Sequence, residues 1–572
     1  MLWVEDQHEE GPVEEISQTL SISKILSKFL FSLGINEVES AKKFLNPKLA
    51  YLSDPFDIPG MALAVDRIVK AIDNKEKILL IGDYDVDGIT STVIVKKNLI
   101  ALGLNPMHIT PKRKTEGYGL TKEVLNRGLK MGPINLVIAL DCGTNSKEEG
   151  ESLHARGIDL IIVDHHQAKE KFESQSIQIN PHLHENKGEP WRFLCTAGLA
   201  FKLVHAILKH LRQKGVKKAF EINPKDSLSL AGLGTIADLV PLRDENRILA
   251  SFGLKYLKEK PSVGLHALLA QANILSNSIL DSEDVAFKIA PRINACGRLD
   301  DAEVATSLLL ETDQEKSKLL AQSMNDYNEE RKGIESKLTE NALQQAKNSF
   351  SNRPAAVVCG QGEYWNPGVV GIVAGKLSSS LGKPCIVLAQ TDNECKGSGR
   401  GVEGVNLVHS LAQCAKFLSH WGGHPAAVGL TLPKHNLEAF KEEFIKVVEN
   451  DTGGSFPEQS LRIATTVKQE EVQESLLDDL RNLAPFGQDN PEPILAIKKI
   501  RLANEPKKIG TGSHFRFSIH NGSSAIAGIA WNMSDRIPPT STDLDLAFRL
   551  RWNYWNGRKN PQIILENWRV SN

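Results

Sequence analysis

The sequence lacks three features that would assign a protein to a class at once. Its seven cysteines, in a chain of 572 residues, include no C-x-x-C pair and are odd in number, which argues against a disulfide framework and a zinc ribbon. The longest apolar runs are six or seven residues, whereas a membrane-spanning helix needs about 20. The acidic N-terminus also lacks the positive start of an export signal. We therefore expect a cytoplasmic protein without membrane contact.

The chain also has little net charge. Its 68 Lys and Arg residues balance 70 Asp and Glu residues, for a formal charge of -2. An overall basic character that would indicate phosphate binding is absent, so any site for a polyanion must be local. The length itself predicts several domains, because single hydrophobic cores stop growing near roughly 250–300 residues.

The pattern of apolar residues divides the chain into five segments. Residues 1–60 look mostly helical, and 61–312 alternates short β-branched strands with helices, which is typical of an α/β domain with a parallel, doubly wound sheet. Residues 313–350 contain no proline and one glycine, which predicts a long polar connecting helix. A smaller α/β unit is expected at 351–450. The short strand candidates in 457–572 predict a small β-barrel.

Potential metal ligands follow three successive strands of the first α/β segment. Asp83, Asp85 and Asp87 follow the first strand, Asp141 the second, and Asp164–His165–His166 the third. Ligands of open α/β sheets collect at the carboxyl ends of the strands. The D-x-D-x-D-G run alone also opens an EF-hand, but a buried strand precedes it and its twelfth position is Ile94 rather than Glu.

A further carboxylate, Asp238, stands in an otherwise apolar loop. Each of these residues alone would be read as a helix cap, a solvated turn or a packing histidine, but their joint occurrence at strand ends favours one site. Carboxylate and imidazole ligands without thiolate suit Mn²⁺ or Mg²⁺. Asp141 is the best candidate for a carboxylate shared by two ions, the arrangement used in phosphoester hydrolysis. The sequence therefore predicts a phosphoesterase.

Four segments, in chain order, resemble the four motifs of the DHH phosphoesterase superfamily: DYDVDG, LDCG, VDHH and GTIADLVPL. Further segments narrow the resemblance to the RecJ family of single-strand-specific exonucleases, and they are PKRKTEGYGL, CTAGLAFKL, PRINACGRLDDA, MNDYNEERK, KGSGRGVEGVNL, WGGHPAAVGL and APFGQDNPEP. The resemblance runs from about Lys77 to the C-terminus. It implies a DHH catalytic domain, a connecting helix, a DHHA1 domain and a C-terminal OB-fold.

The expected site has a metal part and a substrate part. The metal part comprises two divalent ions with ligands at Asp83, Asp85, Asp87, Asp141, His165 and Asp238. Asp141, His165 and His166 are the expected catalytic residues, and Asp164 is expected to support them from behind.

For the substrate part, the resemblance implies contacts to the DNA backbone and a 5′-terminal phosphate from Arg113, Arg292, Asn294, Arg298, Ser398, Arg400 and His424. Arginine forms forked bonds to phosphate, although an arginine in such a loop, taken alone, is more often part of a surface ion pair. The GGH run that ends at His424 could also be a tight turn with a capping histidine.

The C-terminal part differs from the rest of the chain in charge and aromatic content. Residues 498–572 hold twelve Lys and Arg against five Asp and Glu, and four of the eight tryptophans: Trp531, Trp552, Trp555 and Trp568. This composition is typical of a surface that stacks single-stranded nucleic acid, but some of these tryptophans are expected in the barrel core.

The leading hypothesis is a 5′→3′ exonuclease on single-stranded DNA in recombination and repair, dependent on Mn²⁺ or Mg²⁺. One alternative is a DHH-family phosphoesterase that acts on short oligoribonucleotides or cyclic dinucleotides, for which a basic, tryptophan-rich third domain is unnecessary. Another is a DNA-binding scaffold descended from such an enzyme, which would have lost metal ligands. The resemblance also implies single-strand-binding protein and a RecQ-type helicase as partners.

Overall fold

A computed structural model gives the fold. It describes the chain except for residues 114, 169–174, 185–187, 275–278, 300–301, 454–455, 458–459, 511, 522–523, 556–557 and 572, and the side chains at 521, 524, 555 and 558. None of the helices in this described part combines the length and apolarity that a bilayer span requires.

The chain begins with a strand and three short helices. They are β1 (Leu2–Glu5), α1 (Glu10–Leu20), α2 (Lys24–Ser32) and α3 (Val38–Leu45). Helix α2 starts at Ser23, whose hydroxyl accepts a hydrogen bond from the Leu26 amide at 3.2 Å, a standard N-cap.

The first α/β unit is built on a five-stranded, fully parallel sheet. Its elements are α4 (Met61–Asp73), β2 (Ile78–Gly82), α5 (Val86–Ala101), β3 (Met107–Ile109), α6 (Lys122–Leu129), β4 (Leu136–Leu140), α7 (Lys147–His154), β5 (Asp159–Val163) and β6 (Ile177–Ile179). The strand order is β3-β2-β4-β5-β6. Every residue of β2 and β4 is buried, as expected for strands covered by helices on both faces. The expected parallel sheet is confirmed.

Helices complete this unit and lead to the next. They are α8 (Thr196–Gln213), α9 (Lys217–Glu221), α10 (Leu228–Ala237), α11 (Asp244–Glu259), α12 (Val263–Gln271), α13 (Ser282–Asp284), a π-helix (Val285–Ile289), α14 (Ala290–Leu299), α15 (Glu303–Leu310) and α16 (Gln314–Phe350). Helix α16 has 37 residues and is about 55 Å long at 1.5 Å per residue. It is the expected connecting helix, and the Asp313 side chain caps its first turn.

The second α/β unit follows α16. It contains β7 (Ala356–Gly360), α17 (Val370–Leu381), β8 (Cys385–Gln390), β9 (Glu394–Arg400), α18 (Leu407–Gln413), β10 (His420–His424), β11 (Ala427–Pro433) and α19 (Leu437–Thr452). The strand order is β10-β11-β9-β8-β7. Only the β7–β8 pair is parallel, so this sheet is mixed.

The C-terminal unit is a β-structure with one helix. It consists of β12 (Ser460–Ile463), β13 (Thr465–Thr466), α20 (Glu474–Arg481), β14 (Leu495–Ile500), β15 (Lys507–Ile509), β16 (His514–Asn521), β17 (Ser524–Ala530), β18 (Leu544–Trp555) and β19 (Arg558–Val570). Seven of these strands form one sheet in the order β13-β14-β18-β19-β17-β16-β15. An isolated bridge from Leu502 to Ile519 draws the segment after β14 towards β16. No continuous ladder closes the sheet into a barrel among the described residues.

The two ends of the chain share one hydrophobic core. Strand β1 pairs in parallel with β12, and Leu26 and Leu30 of α2 lie in the same cluster as Phe515 and Phe548 of the C-terminal sheet. The N-terminal helices therefore complete the core of the C-terminal unit, a long-range contact that local sequence patterns do not reveal.

Candidate metal centre

Three strand ends bring the carboxylates of the first sheet together. The Asp83 amide donates a hydrogen bond to the Leu140 carbonyl at 3.2 Å, and the Asp141 amide donates one to the Val163 carbonyl at 2.9 Å. The parallel ladder thus continues one residue beyond the strands. The register of β2, β4 and β5 consequently places the side chains of adjacent strand ends at one edge of the sheet.

The turn after β2 places two more carboxylates at this edge. Asp85 caps α5, and its Oδ1 accepts the Gly88 amide at 3.1 Å, while Asp87 lies in the first turn of the helix. Gly88 permits this tight turn, since a Cβ there would lie 2.5 Å from the carbonyl oxygen of Asp83.

The side chains form three overlapping groups of possible ligands. Within each group one ligand atom per residue lies within 4.8 Å of the others, and the groups are Asp83–Asp85–Asp141, Asp87–His165–Asp238 and Asp141–His165–His166. The Nε2 atom of His165 lies 3.3 Å from Asp238 Oδ2 and 3.5 Å from Asp141 Oδ1. All six expected metal ligands and the three expected catalytic residues therefore meet, and Asp141 belongs to two groups.

Asp164 lies next to this cluster, and its carboxylate is hydrogen-bonded to other side chains of the protein. Its Oδ2 accepts the Thr144 hydroxyl at 2.6 Å, and its Oδ1 lies 2.7 Å from His166 Nδ1. Burial opposes ionisation of Asp164, but the hydrogen bonds from His166 and Thr144 outweigh it and hold the pKa of this carboxyl below its usual value. This bond directs His166 towards the cluster, the supporting arrangement typical of metal-binding histidines.

The carboxylates of the cluster need a cation. Neither oxygen of Asp83 accepts a hydrogen bond from any described side chain or backbone group although both are buried, and the same holds for Asp238 Oδ2. Burial, with the neighbouring carboxylates, raises the pKa of Asp83 and of Asp141 well above the usual value and that of Asp238 to about 9. Buried acceptors without donors are costly unless an ion binds them. The oxygen and imidazole donors fit Mn²⁺ or Mg²⁺.

One residue of the cluster and one next to it have left-handed backbone conformations that are unfavourable for non-glycine residues. Asp141 has φ 65° and Leu239, next to Asp238, has φ 58°. Such conformations persist only where the surrounding structure enforces them, and they concentrate at functional sites.

Two of the expected substrate contacts lie beside the metal ligands. The guanidinium of Arg113 stacks 5.1 Å from the ring centre of Tyr84, which stands between Asp83 and Asp85. Arg298 donates from Nη1 to the Gly368 carbonyl at 2.8 Å, which joins the two α/β units. Burial, together with nearby Arg113, lowers the pKa of Arg298 to about 10, so its side chain remains cationic at neutral pH.

Residues of the second α/β unit form a separate polar group. Ser398 and Arg400 lie on β9, and a Cβ on Gly371 would stand 3.3 Å from Ser398 Oγ and 3.4 Å from Arg400 Nη2. Strand β11 separates β9 from β10, and Ala427 pairs with both Arg400 and His424. Ser398, Arg400 and His424 thus lie along one end of this sheet.

Arg292 and Asn294 are not brought to the metal ligands by any described contact. The Arg292 guanidinium donates to Asn325 Oδ1 at 3.1 Å, to the Lys288 carbonyl at 2.6 Å and to the Gln271 carbonyl at 3.1 Å. It therefore ties helices together, and its contact with DNA stays a prediction. The buried Oδ1 of Asn294 accepts no hydrogen bond within the described part of the chain.

Sequence reasoning missed two residues of the centre. The Tyr118 hydroxyl lies 2.9 Å from His166 Nε2 and 3.3 Å from the Asp141 carbonyl oxygen. Thr196 contacts both Asp87 and Asp141. Both residues stand in segments that carried the family resemblance, TEGYGL and CTAG, and that was the only signal that could have identified them.

Family models match three parts of the chain: the DHH family N-terminal domain at 77–235, the DHHA1 domain at 353–450 and the RecJ OB domain at 463–567. The single-stranded-DNA-specific exonuclease RecJ of Bacillus subtilis is 34% identical, and the alignment covers 100% of this chain and 71% of that protein. The single-stranded-DNA-specific exonuclease RecJ of Dickeya dadantii is 30% identical, and the alignment covers 97% of this chain and 98% of that protein. The crystal structure of RecJ with Mn²⁺ from Thermus thermophilus superposes with a TM-score of 0.85 at 26% identity and covers 100% of this chain and 80% of that one.

Proposed function

This chain belongs to the RecJ family of DHH phosphoesterases, and on that premise we propose that it is a metal-dependent exonuclease that degrades single-stranded DNA from the 5′ end. The observation that carries the proposal is the cluster at the strand ends, where Asp141 belongs to two ligand groups and the buried oxygens of Asp83 lack hydrogen-bond donors among the described residues. A binding scaffold derived from such an enzyme has no need for a complete ligand set.

Two divalent ions bound here would supply an activated water and stabilise the leaving oxygen in phosphodiester hydrolysis. Asp83, Asp85, Asp87, Asp141, His165 and Asp238 would hold the ions. His166 lies next to Asp164 and Tyr118 and would contact the phosphate that is cleaved. Arg113 and Arg298 would neutralise the charge of backbone phosphates. Every donor in this set is oxygen or imidazole, which favours Mn²⁺ and Mg²⁺ over softer ions.

The 5′ polarity depends on the polar group of the second α/β unit. Ser398, Arg400 and His424 offer a hydroxyl, a forked guanidinium and an imidazole that suit a terminal phosphate. Arg298 bonds the Gly368 carbonyl, three residues before Gly371, and thereby connects this group to the metal centre. A strand anchored there by its 5′ phosphate would present its first phosphodiester to the ions.

The C-terminal unit is the proposed grip on the single strand. Trp531 is 52% exposed and contacts His514 edge to face at 4.9 Å, so its ring is available for base stacking. Trp552 and Trp568 pack against the core of the unit, as expected for part of this set, and Lys559 lies 3.7 Å from the Trp552 ring centre. The side chain of Trp555 lies outside the described residues.

The proposal is tested with 5′-phosphorylated single-stranded and double-stranded oligonucleotides of one sequence and Mn²⁺. We expect mononucleotide release from the single strand only, and block of that release by phosphorothioates at the 5′ but not the 3′ end. Asp141→Ala should abolish hydrolysis and keep DNA binding. Equal degradation of both substrates, or release from the 3′ end, would contradict the proposal. Preferential turnover of short oligoribonucleotides or cyclic dinucleotides would establish the alternative.

A truncation at residue 457 is a poor test of the C-terminal unit, because it would expose the apolar face of α2 that packs on the sheet. Point substitutions in the intact chain avoid this problem.

We also propose the cellular process, the compartment and the partners of the enzyme. The enzyme acts in DNA recombination and repair in the cytoplasm, with single-strand-binding protein and a RecQ-type helicase as family-based partners. All seven cysteines are free in the described structure. Co-purification of the intact chain with each partner in the presence and absence of single-stranded DNA tests the partner assignment.

A further inference from the structure

The first turn of α8 contacts two metal-site carboxylates directly. Helix α8 begins at Thr196 and is preceded by Cys195, whose side chain makes no capping hydrogen bond in the described structure. The first amides of a helix have no partner within the helix. Here the Thr196 amide donates to Asp87 Oδ2 and the Ala197 amide to Asp87 Oδ1, both at 2.7 Å. The carboxylate of Asp87 therefore takes the place of a cap.

The Thr196 hydroxyl extends this contact to the shared carboxylate. Its Oγ1 donates to Asp141 Oδ1 at 3.0 Å, and the residue is fully buried. A β-branched side chain has few χ1 rotamers, so the backbone of α8 largely determines where this hydroxyl lies. Thr196 therefore bonds both Asp87, which belongs to the Asp87–His165–Asp238 group, and Asp141, which belongs to the other two groups.

The surroundings of Asp87 prevent it from moving away from this contact. A Cβ at Gly234 of α10 would stand 2.4 Å from Ala197 Cβ and 3.0 Å from Asp87 Oδ1. Helix α10 therefore packs against the first turn of α8 as closely as a glycine allows. The Asp87 carboxylate is therefore enclosed between α5, α8 and α10.

We infer that Thr196, with the first turn of α8, is a positioning residue that fixes the Asp87 and Asp141 carboxylates relative to each other for metal binding. This inference rests on the proposed metal centre. Each Asp87 oxygen and Asp141 Oδ1 keeps a lone pair after these bonds, so the same oxygens remain available to an ion. Thr196 itself is not a ligand and does not contact DNA, because its side chain is buried against the carboxylates.

Substitution of Thr196 tests the role. Thr196→Val keeps the shape and removes only the hydroxyl, and Thr196→Ser keeps the hydroxyl. The matched control is Thr306→Val, because Thr306 is a buried threonine of the same unit whose hydroxyl has no hydrogen-bond partner in the described part of the chain. Mn²⁺ binding is measured by titration calorimetry on the full chain without nucleic acid. Loss of a hydrogen-bond partner of a metal ligand typically weakens binding by about 10- to 100-fold.

We expect roughly tenfold weaker Mn²⁺ binding for Thr196→Val, and binding close to that of the unsubstituted protein for Thr196→Ser and Thr306→Val. At saturating Mn²⁺, Thr196→Val should lower kcat on a single-stranded oligonucleotide and leave KM unchanged. Should Thr196→Val fail to fold, as judged by circular dichroism, the smaller Thr196→Ala takes its place with the same expectations.

Unchanged Mn²⁺ affinity in Thr196→Val, or an equal loss in Thr196→Ser, would overturn the inference. An equal loss in Thr306→Val would also overturn it, since the effect would then come from general packing. Because Mn²⁺ binding is measured without DNA, a negative result there refutes the positioning role and leaves the exonuclease proposal intact. A substrate other than single-stranded DNA would leave the binding result unaffected.

Discussion

Removal of the shared carboxylate should have opposite effects on the metal-free and the metal-bound protein. Asp141 is buried and surrounded by Asp83, Asp85, Asp87 and Asp238, which together with burial raise its pKa well above the usual value. Without a cation, Asp141 therefore destabilises the fold at any pH above its unfolded-state pKa, because the folded state disfavours the ionised form. We expect Asp141→Asn, which keeps the shape and removes the charge, to raise the unfolding midpoint in the presence of a chelator.

With Mn²⁺ the order should reverse. An ion at 100 times its Kd stabilises the folded state by about 2.7 kcal/mol. For a unit of 150–250 residues, 1 kcal/mol corresponds to about 2–4 °C, so each bound ion should raise the midpoint by roughly 5 to 10 °C. Asp141 belongs to two of the three ligand groups and Asp238 to one. Asp141→Asn should therefore lose most of the Mn²⁺-dependent shift, and Asp238→Asn a smaller part.

Differential scanning fluorimetry with a Mn²⁺ titration and a chelator reference measures both effects. The matched control is Asp159→Asn, at the opposite end of β5, where the carboxylate pairs with Arg67 at 2.5 Å near the surface. That variant should show the full Mn²⁺ shift. A full shift in Asp141→Asn, or a lower midpoint than the unsubstituted protein in chelator, would refute the assignment of Asp141 as the shared ligand.

Three further predictions address the substrate side and the assembly of the units. Arg400→Ala should lower kcat/KM for 5′-phosphorylated single strands by about 10- to 100-fold, from the loss of a charge-assisted bond, and an equal loss on 5′-hydroxyl substrates would contradict this role. Trp531→Ala should weaken single-strand binding by roughly 1–3 kcal/mol in fluorescence anisotropy with Mn²⁺ binding unchanged; a loss of Mn²⁺ binding would indicate a folding defect instead. Arg247→Met should destabilise the protein in urea unfolding by about 1–3 kcal/mol for each buried carbonyl left without a donor, because its guanidinium bonds the carbonyls of 482–484 and of Phe44. The variant Arg243→Met, at a partly exposed neighbour that pairs with Asp489 at 3.7 Å, should change little, and similar losses in both would argue against the network.

Local sequence patterns predicted that the candidate ligands converge, for a physical reason. Parallel strands end at one edge of a sheet, so ligands that follow successive buried strands must converge. This rule predicts that Asp83, Asp141 and His165 lie close together, and the structure brings them together. Asp238 joins them from the end of α10. The functional roles of these residues and the boundaries of the five segments remain predictions.

Contacts between distant parts of the chain could not be read in the same way. The Arg292 guanidinium donates to Gln271 and Asn325, which are 21 and 33 residues away in sequence, and no local pattern indicates these contacts. The N-terminal helices looked like a separate arm, whereas Leu26 and Leu30 complete the core beneath the C-terminal sheet. An apolar stripe indicates that a helix face is buried but does not identify the surface that covers it.

The sequence by itself determined the alternation of strands and helices and the place of each candidate ligand along the chain, because these follow from local periodicity and side-chain chemistry. Only the tertiary structure decided that the first turn of α8 holds Asp87 and Asp141, and that the two ends of the chain share a core. The residues in contact are about 110 positions apart in sequence for Asp87 and α8, and about 500 apart for the two ends of the chain. The packing is set by the fit of whole surfaces, so no single segment of the sequence specifies it.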